Sequence, residues 1–191
     1  MPISAIILAG GRATRMGGVD KGLIQLHQKP LIQHIIDRLQ PQVDEILINA
    51  NRELIQYQSL GYPVFSDESP DFIGPLAGFS LGLQNAKHQL VLTAPCDSPL
   101  FPFNLAQRLT QALEVHHADI AVPKVGADVH PVFSLCRKTV LSDLTAFLSN
   151  GGRKVNAWQK SLNYIEVDFS DQPDAFLNLN TAEEIKGVRL L

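Results

Sequence analysis

Ile3-Ser4-Ala5-Ile6-Ile7-Leu8-Ala9-Gly10-Gly11-Arg12-Ala13-Thr14-Arg15-Met16-Gly17-Gly18-Val19-Asp20-Lys21 is the stretch that decides the fold. Its first six residues are short, apolar and rich in Ile, which suits a strand buried on both faces of a parallel sheet. Paired glycines follow directly. They let the backbone bend sharply and bring its N–H groups close to a ligand. Arg12, Arg15 and Lys21 place three positive charges on the same loop. Arginine can grip phosphate oxygens with two hydrogen bonds, and lysine supplies a mobile point charge. Together they would offset much of the charge of a triphosphate. The Walker pattern Gly-x-x-x-x-Gly-Lys-Ser/Thr and the dinucleotide pattern Gly-x-Gly-x-x-Gly are both absent. A flexible glycine loop with solvated arginines is the plainer reading, and the strand in front of the loop and its three cations weigh against it.

Outward from that loop, strand-like and helical stretches alternate. Leu31, Ile35, Ile36 and Leu39 are spaced for a helix over residues 30–39, with Pro30 placed for a first helical position. Strands are expected at 45–48, 63–65, 89–93 and 119–122, and helices at 74–86 and 104–115. Beyond Val129 the pattern is mixed: a strand-like 130–135, a helix over 139–148, a strand over 163–167 and a last helix from Thr181. Such alternation predicts an α/β domain whose parallel sheet is covered on both faces. Ligands of these sheets bind beyond the carboxyl ends of the strands. That rule directs attention to residues 9–21, 49–51, Asp67 and 95–99.

The chain has 191 residues, 45% of them hydrophobic and 18% charged, which suits one domain of ordinary size with a sizeable core. A formal net charge of -3 argues against a protein that coats nucleic acid. Cys96 and Cys136 have no disulfide-framework or metal-finger spacing and read as reduced structural thiols. The opening apolar run is too short for a secretory signal, and no stretch nears the roughly 20 apolar residues of a membrane helix. The expectation is a soluble, cytoplasmic protein without nucleic-acid or membrane partners.

Leu-Ala-Gly-Gly-x-x-x-Arg-Met-Gly-Gly followed by Asp-Lys-Gly resembles the signature of the molybdenum cofactor guanylyltransferases. Further blocks resemble that family in the same order: Asn49-Ala50-Asn51-Arg52, Asp67, Gly74-Pro75-Leu76-Ala77-Gly78, Pro95-Cys96-Asp97-Ser98-Pro99, His130-Pro131 and Asn178-Leu179-Asn180-Thr181. They span nearly the whole chain. The sequence departs from the pattern at Gln28-Lys29-Pro30-Leu31, where the family often has Gly before the Lys, and at Ala182, where Thr-Pro is usual. The resemblance implies a single-domain, three-layer, Rossmann-like fold of glycosyltransferase-A type with a mostly parallel central sheet. Residues 1–122 would then be mainly the nucleotide side and 123–191 mainly the acceptor side.

The resemblance implies nucleotide contacts at Leu8, Ala9, Gly10, Gly11, Lys21, Asn49, Asp67 and Asp97, with Arg15, Lys21 and Asp97 as catalytic residues. Asp97 lies just past an apolar strand in a loop stiffened by Pro95 and Pro99. Magnesium prefers one or two carboxylates with phosphate oxygens and waters, so Asp97 is the first choice for a Mg2+ ligand. A turn or helix-capping aspartate is the other reading there. Asp67 and Asn49, taken alone, read equally as caps. Cys96 reads as a small packed residue. Asn178 and Asn180 could help hold the metal or orient the acceptor. His130, Arg153 and Lys154 are candidates for the acceptor side, with a packed histidine and a solvated basic turn as the other readings.

The implied reaction is transfer of GMP from GTP to the terminal phosphate of molybdenum-loaded molybdopterin, with release of pyrophosphate. The partners expected are GTP and molybdopterin, with cofactor-supplying and molybdoenzyme-maturation proteins beside them, and the chain is expected to act as a monomer. The rival readings are a cytidylyltransferase or sugar-phosphate nucleotidyltransferase of the same fold, and a non-catalytic nucleotide-binding or cofactor-carrying protein.

Overall fold

A computed structural model describes the chain except for residues 12–19, 68–73, 181–183, 185, 186 and 188–191. Arg12 and Arg15 therefore lie outside the described residues, as does most of the helix expected from Thr181, of which Glu184 and Gly187 are helical.

The central sheet is built around β1 (Ile3–Leu8), which pairs in parallel with β4 (Glu45–Asn49) on one side and β6 (Leu90–Pro95) on the other. β5 (Val64–Phe65) extends the sheet in parallel beyond β4. On the far side β9 (Ser134–Arg137) runs antiparallel between β6 and β7 (Ile120–Val125), and β10 (Tyr164–Asp168) closes the edge parallel to β7. A short β8 (Asp128–Val129) folds back on β7. The sheet is thus mostly parallel, with one reversed strand inside it.

β1 is buried on both faces, and the two faces belong to different cores. Ala5 and Ile7 pack with Ile32, Ile35, Ile36 and Leu39 of α1 (Leu31–Leu39) and with Leu105, Leu109 and Leu113 of α4 (Leu105–Val115). Ile6 packs the other way, with Leu76, Phe79 and Leu83 of α3 (Pro75–Asn85), Leu144 of α5 (Leu141–Ser149) and Trp158 of α6 (Val155–Gln159). This is a three-layer α/β domain, as the alternation of apolar runs and helical stripes requires. α2 (Leu54–Gln58) adds Tyr57 to the first core.

Two glycines bring α3 unusually close to the sheet. A Cβ on Gly78 would stand 2.3 Å from Leu8 Cδ2 and 2.7 Å from Asn49 Oδ1, and one on Gly82 would stand 2.6 Å from Ile6 Cγ2. Gly78 and Gly82 are one helical turn apart on one face. The N-terminus of α3 is thereby held over the carboxyl ends of β1 and β4.

Between β2 (Gln25–Leu26) and β3 (Lys29–Pro30), His27 and Gln28 form a two-residue turn with φ of 49° and 65°. Two positive φ values match the primed hairpin turns that glycine favours. The departure at Gln28 therefore falls where a left-handed backbone is demanded of a residue with a side chain.

Candidate active site

Leu8, Asn49 and Pro95 lie side by side at the carboxyl edge of the sheet, since Leu8 is in register with both of the others. The residues that follow each strand leave the sheet together and form the floor of a cleft of about 610 Å³. Gly10, Gly11, Lys21, Asp67, Gly74 and Asp97 line it from the first half of the chain, and Val129 to Phe133, Phe176 and Asn178 from the second. The size is that of a small-molecule site.

Lys21 and Asp97 meet here from 76 positions apart. Lys21 Nζ stands 3.2 Å from Asp97 Oδ2 and donates to Asn180 Oδ1 at 2.6 Å. Lys21 starts a short 3-10 turn, Lys21–Leu23, whose preceding residue Asp20 accepts from Gly22 N. Asp97 is fixed from behind: its backbone O accepts from Leu179 N at 2.8 Å, and Ser98 Oγ bonds both Asp97 Oδ1 and Asn178 Oδ1. The segment 178–180 is therefore stitched to the loop after β6. Lys21, Asp97, Asn178 and Asn180 form one cluster of a cation, a carboxylate and amide oxygens.

A second polar cluster sits on the β4 side. Asp67 Oδ1 accepts from Asn49 Nδ2 at 2.9 Å and Asp67 Oδ2 from Asn51 Nδ2 at 2.7 Å, while Asn51 Oδ1 accepts from Asp67 N at 2.8 Å. Asn51 Nδ2 also reaches Gly10 O at 3.1 Å. A Cβ on Gly10 would lie 2.9 Å from Asn51 Nδ2 and 3.0 Å from Asn49 Oδ1, so a larger residue would press the loop off these amides. The resemblance implies a group of Leu8, Ala9, Gly10, Gly11, Asn49 and Asp67, and all six line the cleft.

His130 follows the β7–β8 hairpin and stacks on Phe176, with ring centroids 4.9 Å apart. Its Nε2 is buried and, among the described residues, has no hydrogen-bond partner. Burial lowers its pKa below the usual histidine value, with Asp128 opposing, which favours the neutral ring. The expected strand over 130–135 begins only at Ser134, because Phe133 N turns back to His130 O. Arg153 and Lys154 stand apart from the cleft lining. Arg153 Nη1 donates to Leu148 O and Gly152 O at the end of α5, and Lys154 is exposed at the start of α6.

Cys96 lines the cleft as a buried thiol whose surroundings disfavour the thiolate. Its thiol is pushed far above the usual range by burial first, then by the Asp97 and Asp20 carboxylates. Asp20, in sequence simply the first member of the Asp-Lys-Gly motif, is a buried carboxylate in the cleft lining, bonded to the hydroxyl of Tyr57. Among the described residues there is no group of three or more His, Cys, Asp and Glu side chains placed to hold a metal ion.

The profile of the MobA-like NTP transferase domain matches residues 5–163. The chain belongs to that family. A molybdenum cofactor guanylyltransferase of Polynucleobacter asymbioticus is 52% identical over 190 residues, covering 96% of this chain and 94% of the relative. One from Shewanella putrefaciens is 48% identical over 182 residues, covering 95% and 93%. The crystal structure of molybdopterin-guanine dinucleotide biosynthesis protein A from Archaeoglobus fulgidus superposes with a TM-score of 0.75 at 20% identity, covering 96% of this chain and 95% of that one. The last comparison establishes the shared fold alone. As a MobA-like NTP transferase the chain is a nucleotidyltransferase, and its cleft lies where the fold exposes strand ends. Among the described residues no helix is long and apolar enough to cross a membrane.

Proposed function

We propose that the protein transfers GMP from GTP to the terminal phosphate of molybdenum-loaded molybdopterin, forming the guanine dinucleotide cofactor. An acceptor phosphate oxygen bonds to the α-phosphorus of GTP, the bond from that phosphorus to the bridging oxygen breaks, and pyrophosphate leaves. The observation that carries this reading is the pairing of Lys21, in the turn 21–23, with Asp97, in the loop after β6, inside a cleft of nucleotide size. The high identity to guanylyltransferases supports the choice of base and acceptor.

An acceptor phosphate is already anionic and needs no strong base, so catalysis rests on positioning and charge stabilisation. The backbone of Leu8 to Gly11 and the Asn49–Asp67 cluster would hold the nucleoside end. Arg15 and Lys21 would offset charge growing on the departing pyrophosphate. Asp97 offers the carboxylate that fits Mg2+ beside phosphate and water, flanked by Asn178 and Asn180, whose amide oxygens accept from Ser98 and Lys21. When bound, the ion neutralises charge on the phosphate oxygens. The residue 123–191 side, with His130 and Phe176, would face the acceptor, and Arg153 and Lys154 would reach it only from outside the cleft lining. Cofactor-supplying and molybdoenzyme-maturation proteins would be its partners, and we infer that it acts in the cytoplasm as a monomer.

The test is pyrophosphate release with molybdopterin and each of the four nucleoside triphosphates, run on the wild type and on Asp97→Ala. GTP preference and loss of turnover in a folded Asp97→Ala are expected. Preference for CTP would overturn the choice of base, and a fully active variant would overturn the role of Asp97.

A further inference from the structure

Tyr57 is the one residue of α2 buried in the core, and its hydroxyl is aimed at a carboxylate 37 positions earlier in the chain. A buried tyrosine O–H needs a partner, and here Asp20 Oδ1 accepts from it. The same oxygen accepts from Gly22 N at 3.3 Å, and Asp20 O accepts from Leu23 N at 3.1 Å. Residues 20–23 are thus closed into a turn with the carboxylate at its centre and the tyrosine behind it.

Gly22 provides a second, independent sign of this arrangement. A Cβ there would stand 2.6 Å from the Tyr57 oxygen, so the backbone of the turn lies directly against the hydroxyl. Lys21 is the residue between the two anchored positions. Its long side chain carries much rotamer freedom, and only a fixed backbone directs its ammonium to one place. That place lies between Asp97 Oδ2 and Asn180 Oδ1.

We propose that Tyr57 is a positioning residue for the transfer: acting through Asp20, its hydroxyl holds the turn that aims Lys21 at the phosphates. This rests on the nucleotidyl-transfer reading. Tyr57 touches no reacting atom; removing its oxygen frees the turn and disperses the lysine. The Asp20 oxygen matters as an acceptor, so an amide oxygen at the same position can serve.

The experiment is a double-mutant cycle in kcat/KM for GTP, read by pyrophosphate release, on Tyr57→Phe, Asp20→Ala and the pair, with Asp20→Asn alongside. Loss of one hydrogen bond to a charged group predicts a fall of about ten- to hundredfold in Tyr57→Phe. The pair should be no worse than Asp20→Ala alone, because that variant already removes the contact that Tyr57→Phe breaks, together with the Gly22 bond. Asp20→Asn should recover most of what Asp20→Ala loses, which a merely structural role for the charge would not produce. A folded Tyr57→Phe with wild-type kcat/KM, additive losses in the pair, or an Asp20→Asn as poor as Asp20→Ala would each overturn the proposal. Should Tyr57→Phe not fold, the comparison of Asp20→Ala with Asp20→Asn decides. A wild type that releases no pyrophosphate overturns the transfer reading and this proposal with it; an active wild type beside an unchanged Tyr57→Phe overturns this proposal alone.

Discussion

Gly78→Ala adds one methyl group at the closest approach of α3 to β1. Its carbon would lie 2.3 Å from Leu8 Cδ2 and 2.7 Å from Asn49 Oδ1. The leucine end can swing aside. Asn49 has less room to give, since its Nδ2 is held by Asp67 Oδ1 at 2.9 Å and by Phe65 O at 3.4 Å. Overpacking of this kind costs about 1–3 kcal/mol. Alanine in a helix interior returns about 1 kcal/mol over glycine. The net loss is then about 0–2 kcal/mol, or at most roughly 8 °C in Tm for a chain of this size. Gly82→Ala meets Ile6 Cγ2 at 2.6 Å and should lose similar stability, but Ile6 does not line the cleft. The two variants therefore separate stability from the site. Calorimetric titration with GTP at 25 °C should show affinity about tenfold weaker in Gly78→Ala, the value of one hydrogen bond, and little changed in Gly82→Ala. Equal affinities in the two variants would refute the argument that Asn49 transmits the clash.

Lys21→Ala should slow transfer about a hundredfold or more, the scale of losing a group that stabilises transition-state charge, and unchanged steady-state kinetics would remove Lys21 from the site. Gln28→Gly should raise stability by about 1 kcal/mol, since a side chain in the left-handed region carries that cost, and a thermal melt checks it. His130 binds its proton less readily folded than unfolded, so its contribution is present above the unfolded pKa, near 6.5, and is lost as pH falls below it. Urea titrations across pH 5–8 should show that acid slope flattened in His130→Leu. Both thiols should resist alkylation at pH 8 until the chain unfolds, because burial pushes Cys136 up to about 12 and Cys96 further still; labelling of the folded protein, followed by mass, tests this.

The sequence reveals β1, β4 and β6 because strands buried on both faces must be apolar throughout, and α1 because Leu31, Ile35, Ile36 and Leu39 mark one stripe. It does not reveal α2 or α6, since five residues are too few to show a helical period. Strand direction is equally hidden: Ser134–Arg137 reads the same whether it runs with its neighbours or against them. At the site, the loop residues were legible as motifs, but their partners were not. Nothing in local spacing joins Tyr57 to Asp20 or Ser98 to Asn178, because these contacts arise only when distant strand ends are brought into one row. Arg153 shows the opposite case, a basic residue beside glycines whose guanidinium closes off the carbonyls at the end of α5.

The backward course of β9 has a consequence for how such a scaffold can diversify. Because that strand starts at the rim, the chain arrives there by the β7–β8 hairpin, whose tip at Gly126 is open to water with φ of 58°. Residues inserted at that tip would give up the bond from Gly126 N to Ser170 Oγ and would lie outside the pairing of β1, β4 and β6. Under the proposed transfer, such insertions would reshape the shore meant for the receiving molecule and leave the Lys21–Asp97 shore as it is.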